Sequence, residues 1–458
     1  MHAAMNDTLI ASSDTPLVVG LGSTGLSCVR FFRRRGIPCA VVDSRDTPPG
    51  LEVLQAEYPE VPVTLGPLDA DQLASAGRLV VSPGIALEEP AVAAALAANV
   101  PVCGDIDLFC EAADAPVVGI TGSNGKSTVT ELLGRMAARS GRNVAVGGNL
   151  GTPALDLLDD AVEIYVIELS SFQLERAGRL DLSLAVVLNM SADHMDRHGS
   201  MQRYHLAKHR IFRGCEALVF NRDDPLSRPL QADNVPSLSF GLGAPDRRGY
   251  GLADHDGAEW LCREFEPLIP AGELGLKGRH NIANALAALA LAESLALPVA
   301  DCLAELREFH GLPHRSQLVA EIDGVAYIND SKATNPGATL AAIEGFADQG
   351  APVVILGGQG KGADFAALGA AVSSRCKAAV LMGEAAEALD AVLDGALPRQ
   401  RVDSMSAAVA AARDFAGPGD TVLLAPACAS FDMFAGFAAR GDAFVDAVGH
   451  IRDGGGHD

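Results

Sequence analysis

The chain has 458 residues, 48% of them hydrophobic and 20% charged, with a formal net charge of −23. The proportions fit a globular protein with substantial cores, and the length fits about three domains at roughly 150 residues each. A surface this negative repels nucleic-acid phosphates, so no nucleic-acid partner is expected and any phosphate-bearing substrate must be held by local donors.

Nine cysteines are scattered without a CxxC pair and in odd number. This argues against a disulfide framework or a zinc ribbon and predicts a reducing, cytoplasmic compartment. The opening MHAAMNDTLIASSD lacks a basic start followed by an apolar run, so no signal peptide is expected. IANALAALALAESLALPVA (282–300) contains Asn284 and Glu293, and is expected to be a core helix rather than a membrane span.

In chain order, short β-branched runs alternate with Ala/Leu-rich stretches of helical length, which predicts α/β architecture in three blocks. The first carries PLVVG, CAVVD and RLVVSPG and ends near VPVCGDID. GLGSTG (20–25) follows its first strand, and Asp43 closes the next. Taken alone this is a dinucleotide fingerprint with an acid for a ribose hydroxyl, and a nicotinamide-dependent dehydrogenase is the competing class.

The second block opens with APVVGIT and carries GITGSNGKST (119–128) between a strand and a helix. Glycines there expose backbone N–H groups, Lys126 is placed to reach the β/γ-phosphates, and Ser127 to ligate magnesium. The strict pattern wants glycine where Ile120 stands; Gly119 and Gly122 flank it. IYVIE ends a buried run on Glu168, a candidate magnesium ligand beside a phosphate loop. MSADHMDRHG places His194 and His198 four apart, a spacing that superficially matches zinc, but no third ligand lies nearby. His194 is therefore assigned to the ATP site as a ligand or phosphate contact. The third block begins after GLPHRSQ, with strands VAYIND, PVVILGG, AAVLMGE and TVLLAPA, and Lys332, Thr334, Lys361 and Ser430 in the loops that follow.

Taken together, GLGSTGLSC, SPGIAL, TGSNGKST, GGNLGTPAL, ELSSFQLE, DHMDRH, YHLAKHRIF, HNIANALAAL, GLPHR, NDSKATN, GGQGKGADF and PACASFDMF resemble the Mur ligases in order over nearly the whole chain. The resemblance implies a Rossmann-like UDP-binding domain (1–104), a central P-loop ATPase domain with a mostly parallel sheet (105–311), and a Rossmann-like amino-acid-binding domain (312–458). It implies ATP-dependent addition of D-glutamate to UDP-N-acetylmuramoyl-L-alanine, a step of peptidoglycan synthesis, by a monomer that uses ATP and two Mg2+ ions and inserts in no membrane. Another amino-acid-adding ligase of the family is the alternative, although the DNPR string of the diaminopimelate- or lysine-adding member is absent.

Carried over residue by residue, Gly122, Ser123, Asn124, Gly125, Lys126, Ser127 and Thr128 would bind ATP phosphates. Asn281, Asn284, Arg315 and Asp330 would handle the adenosine and phosphates; both asparagines could instead cap their helix or face solvent. Ser127 and Glu168 would serve one magnesium, and His194 with Lys208 a second. In relatives the matching lysine is carbamylated, which turns a cation into carboxylate-like oxygens suited to magnesium. The GLGSTG loop becomes a UDP site through Ser23, Thr24, Asp43, Ser44, Arg45, Ser82 and Gly84, with Asn149, Ser170, Gln173 and His194 toward the sugar and its alanine. Lys332, Thr334, Lys361, Ser430, Phe431 and Phe437 would hold the amino acid. Ala192, Gln359, Pro336 and Phe431 depart from the commoner pattern without removing a proposed catalytic group.

Overall fold

The computed structural model describes residues 15–229, 235–276, 278–345 and 350–452. The N-terminal stretch, expected to carry no signal peptide, and the GGGHD tail lie outside the described residues. Three sheets organise the rest.

The first sheet is formed by β1 (Pro16–Val19), β2 (Ala40–Asp43), β3 (Val63–Leu65), β4 (Arg78–Val81) and β5 (Val102–Cys103), ordered β3-β2-β1-β4-β5. Every pair is parallel. Continuous Val/Leu runs suit such strands because helices cover both faces. The order reverses between β1 and β4, the kind of switch point beside which open parallel sheets bind their ligands.

The second sheet contains β6 (Val117–Thr121), β7 (Val144–Gly148), β8 (Ile164–Glu168), β9 (Leu184–Val187), β10 (Ala217–Asn221), β11 (Ser237–Phe240), β12 (Gly249–His255), β13 (Ala258–Arg263) and β14 (Glu266–Pro270). Its order is β14-β13-β12-β11-β10-β9-β6-β8-β7. It is parallel from β7 to β12, and β12–β14 add an antiparallel meander. The sequence pattern does not predict this extension: GYGLADH and AEWLCR mix glycine and charge, as antiparallel strands with one solvated face do. The helix Arg279–Ser294 buries Leu286, Leu289 and Leu291 against this sheet, as expected of a core helix.

The third sheet comprises β15 (Gln317–Ile322), β16 (Val325–Asn329), β17 (Val353–Gly357), β18 (Ala378–Met382), β19 (Arg399–Arg401) and β20 (Thr421–Leu424), ordered β15-β16-β20-β17-β18-β19. Only β15 runs antiparallel to its neighbour. The expected mixed α/β fold with mostly parallel sheets is therefore what the chain adopts. Among the described residues, no helix is long and apolar enough to cross a membrane.

Arg176 fixes the first sheet to the second. Fully buried, it donates to the carbonyls of Val81, Ser82, Pro83 and Ile85, holding the loop after β4 against the middle domain. Gln173 adds a bond from Nε2 to Asp105 Oδ2 at 3.2 Å.

Candidate active site

The loop after β6 turns through Gly122 (φ 153°) and Gly125 (φ 82°) into the helix Lys126–Arg139. Gly125 is required twice over: its backbone is left-handed, and a Cβ there would lie 2.4 Å from Asn284 Oδ1. Lys126 folds back along the loop, its Nζ donating to Gly122 O at 2.9 Å and Ser123 O at 3.0 Å. Ser123 Oγ bonds Ser191 O and meets Tyr204 Oη at 3.0 Å, so the loop is braced from behind.

Glu168 closes β8, whose neighbour in the sheet is β6, and this register sets its carboxylate against the loop. Ser127 Oγ donates to Glu168 Oε2 at 2.5 Å, and Asn149 Nδ2 donates to Oε1 at 2.6 Å. Burial raises the Glu168 pKa, but Lys126, Ser127, Asn149 and Arg315 outweigh it and hold the carboxyl below its ordinary value. Glu168 is therefore ionised, and an ionised carboxylate beside a hydroxyl is a donor set that fits magnesium. Arg315 reaches across from the segment before β15 and donates from Nη2 to Ser127 Oγ at 2.6 Å.

Lys208 lies buried beneath the loop, donating to Gly122 O at 2.8 Å and Thr121 Oγ1 at 3.2 Å. Burial, then the charge of Lys126, push its amine well below the usual lysine value. A neutral amine is the form that adds to carbon dioxide, so the environment fits a carbamate. His194 begins a short turn in left-handed conformation (φ 56°), with its ring 4.8 Å from that of Phe172. Burial, opposed by Asp193, lowers its pKa and keeps the imidazole neutral, as a metal ligand must be. His198 shares no ligand set with it: buried, it pairs through Nε2 with Ser171 Oγ at 3.0 Å and stacks on Phe172.

These groups line a cleft of about 300 Å3 whose opposite wall comes from the third sheet: Lys332, Thr334, Lys361, Ser430, Phe431 and Phe437. Lys332 Nζ lies 4.1 Å from the centroid of the Phe437 ring. Burial, then Arg315 and Lys126, lower the Lys332 pKa to about 8. Ser430 Oγ is buried and finds no hydrogen-bond partner among the described residues, a donor awaiting an acceptor. Phe431 is 67% exposed and only borders the cleft.

A second cavity of about 310 Å3 adjoins the loop and is lined by Thr128, Phe240, Asn281, Asn284, Arg315 and Asp330, among others. Asn281 and Asn284 are buried and bonded to each other at 3.1 Å, facing the cavity rather than solvent. Burial raises Asp330 to about 6, with Ser316 opposing.

The residues assigned to UDP gather at the carboxyl ends of β1, β2 and β4. Asp43 is buried and accepts from Leu21 N at 2.7 Å, Arg45 N at 2.9 Å and the Arg45 guanidinium. It thus pins the glycine loop to the turn that carries Ser44 and Arg45, both exposed. Ser23 and Thr24 open the helix Ser23–Arg34, Ser82 Oγ donates to Gly20 O at 3.0 Å, and Gly84 is exposed. Ser170 and Gln173 form a capping box at the start of the helix Ser171–Arg176.

Three residues were not singled out from the sequence. Asn335 joins the third domain to the second; its position before Pro336, at a helix start, was the available signal. Asp193 lies beside His194, within a motif but without a role assigned from it. Arg440 is buried in the helix Phe437–Arg452 and donates to Ser331 O and Oγ, Gly357 O, Cys428 O and Ala429 O. It ties together the loop ends that carry Lys332 and Ser430, and no local pattern distinguishes it from a surface arginine.

Comparison with known proteins agrees across the chain. Residues 14–104 match the Mur ligase MurD-like N-terminal domain, residues 120–292 the Mur ligase middle domain, and residues 314–428 the Mur ligase glutamate ligase domain. The UDP-N-acetylmuramoylalanine--D-glutamate ligase of Pseudomonas aeruginosa is 55% identical over 443 residues, covering 96% of this chain and 99% of that protein. The enzyme of the same name from Nitrosococcus oceani is 53% identical over 438 residues, covering 95% and 97%. The solved structure of MurF ligase from Thermotoga maritima in complex with ADP has the same fold, with a TM-score of 0.58 at 18% identity over 95% of this chain and 94% of that one. On the matching domains and on identity over nearly its full length, the chain belongs to the Mur ligase family.

Proposed function

We propose that the chain ligates D-glutamate to UDP-N-acetylmuramoyl-L-alanine at the expense of ATP, as a monomer in the cytoplasm, within peptidoglycan synthesis. The observation that carries this reading is the cleft itself. In a protein of net charge −23, Lys126, Arg315, Lys332 and Lys361 converge on one space with Glu168 and Asp193 among them. Concentrated cations in a partly desolvated cleft suit a polyanion, and here they would meet triphosphate, substrate carboxylate and a dicarboxylic amino acid.

The division of labour follows the proposed domains, 1–104 for UDP, 105–311 for ATP and 312–458 for the amino acid. Gly122 to Thr128 cradle the phosphates, while Asn281, Asn284, Arg315 and Asp330 line the nucleoside cavity. Ser127 with Glu168 would hold one magnesium ion and His194 with Lys208, as its carbamate, a second, and the ions would supply neutralisation of phosphate charge. Lys126 offsets the charge that builds on the transferring phosphoryl group as the alanine carboxylate becomes an acyl phosphate. The neutral glutamate amine then attacks that carbonyl, and the tetrahedral intermediate collapses to the amide as phosphate leaves and the amine nitrogen gives up a proton to solvent. Lys332, Lys361, Thr334 and the unpaired Ser430 hydroxyl supply donors for the two glutamate carboxylates, with Phe437 limiting the space.

The alternative reading of GLGSTG as a nicotinamide site leaves Lys126, Glu168 and Lys208 without work. A nucleotide-hydrolysing regulator leaves the first and third domains unused.

The test is a competition assay with D-glutamate, L-glutamate and D-aspartate at equal concentration beside ATP and the UDP-sugar. D-glutamate is expected to dominate. D-aspartate, one methylene shorter, leaves a buried donor unpaired and is expected to lose about 1–3 kcal/mol, one to two decades in rate. Preference for L-glutamate would overturn the substrate and leave the ligase chemistry standing; absence of phosphate release with all substrates present would overturn both.

A further inference from the structure

The loop that carries Lys332 and Thr334 ends at Asn335, and this one side chain serves two domains. Its Oδ1 accepts from Ala338 N at 2.8 Å and so caps the helix Pro336–Gly345. Its Nδ2 faces the other way, donating to Asp193 Oδ2 at 3.1 Å and Asn124 Oδ1 at 3.3 Å. Asn124 belongs to the phosphate loop, and Asp193 precedes His194.

The surroundings are built for this contact. Asn335 is 5% exposed. Asn124 is fixed in turn, its backbone N donating to Asn189 Oδ1 at 2.8 Å. Gly337 lets the helix start approach the middle domain, since a Cβ there would lie 2.8 Å from Ser191 Oγ. The contact from Arg315 to Ser127 also spans the two domains, but Arg315 sits in the segment that connects them. Asn335 lies beyond that segment, on the body that must move if the third domain swings.

We propose that Asn335 is a positioning residue that latches the third domain onto the second, so that the amino-acid loop and the phosphate loop come into register together. The consequence for turnover rests on the ligase reading; the bridge itself does not. A carboxamide is the side chain that fits, because it accepts at the cap and donates across the gap in one geometry. Aspartate would cap equally well but set a second carboxylate against Asp193, and serine would cap without reaching across.

The experiment compares the intact chain with Asn335→Asp, Asn335→Ser and the swapped pair Asn335→Asp/Asp193→Asn. Hydrogen exchange is read over 189–194 and 330–336 without nucleotide, beside melting temperature and steady-state kinetics. Asn335→Asp and Asn335→Ser are expected to keep the melting temperature, because the cap survives, yet to exchange several-fold faster in both segments. Their kcat/KM for the amino acid is expected to fall by about 10–100-fold, as misplacement of a reactant predicts. The swapped pair is expected to regain protection, with a carboxamide at position 193 now donating to a carboxylate at position 335.

Unchanged exchange in Asn335→Asp, a swapped pair no better protected than the single variant, or full turnover with the bridge broken would each overturn the proposal. Should the unaltered chain ligate nothing while exchange follows the expected pattern, the ligase reading fails and the latch stands.

Discussion

The chain contains two glycine loops of the same design, set in different surroundings. Gly20–Gly25 and Gly122–Thr128 each leave a buried parallel strand, turn through a glycine at positive φ (Gly20 at 99°, Gly122 at 153°) and enter a helix. The first loop is closed by packing: a Cβ on Gly25 would lie 2.0 Å from Gly20 O, and Asp43 holds Leu21 N. No basic side chain stands at the start of its helix. The second loop has Lys126 folded over it, Lys208 beneath it and the Ser127–Glu168 pair at its end. Glycine spacing sets the backbone path and aims the amides; the side chains brought by β8, by the helix Met201–His209 and by the third domain set what charge the loop can hold.

Breaking the second loop alone gives the largest effect. Lys126→Ala is expected to lower ligation on the order of 100-fold or more, since one preorganised charge contact is lost. Titration calorimetry should find UDP-sugar binding intact, because the first loop is untouched. Loss of both would mean that the two loops are not independent. Undiminished turnover would remove Lys126 from the mechanism.

Lys208→Ala sharpens the comparison by taking away the group beneath the loop. Activity is expected to drop by at least roughly 10–100-fold, the loss typical when even an outer partner of a metal ligand is removed. A small added carboxylate should restore part of it by supplying the missing oxygens. Near-normal activity without the additive would rule out the carbamate role.

The smallest effect falls on the first loop. Gly25→Ala forces a Cβ onto the Gly20 carbonyl, and overpacking of this kind costs about 1–3 kcal/mol. Thermal unfolding should show the loss, and the KM for the UDP-sugar should rise while that for ATP stays constant. A matching rise for ATP would show that the strain spreads beyond the first domain.

Much of the fold was legible because its signals are local. Val/Leu strands alternating with Ala/Leu helices predict parallel sheets, and Glu168 stands out as a candidate ligand at the end of an apolar run after a glycine loop. The meander β12–β14 was less legible, since antiparallel strands with one solvated face carry charge and glycine instead of a continuous apolar run. At Asp43 the sequence pattern points to a ligand contact, whereas the structure shows the carboxylate anchoring the loop through its bonds to Leu21 and Arg45.

By itself, the sequence determined where the loops, caps and charged groups stand along the chain, because strand propensity, glycine spacing and helix starts depend on neighbouring residues. Only the tertiary structure decided which of those groups face one another. Lys208 is 86 residues from the Gly122 carbonyl it bonds, Arg315 is 188 from Ser127, and Asn335 is 142 from Asp193. Such meetings are fixed by sheet order and by the packing of one domain on the next. The same packing strips water from Lys208 and leaves the Ser430 hydroxyl without a hydrogen-bond partner among the described residues.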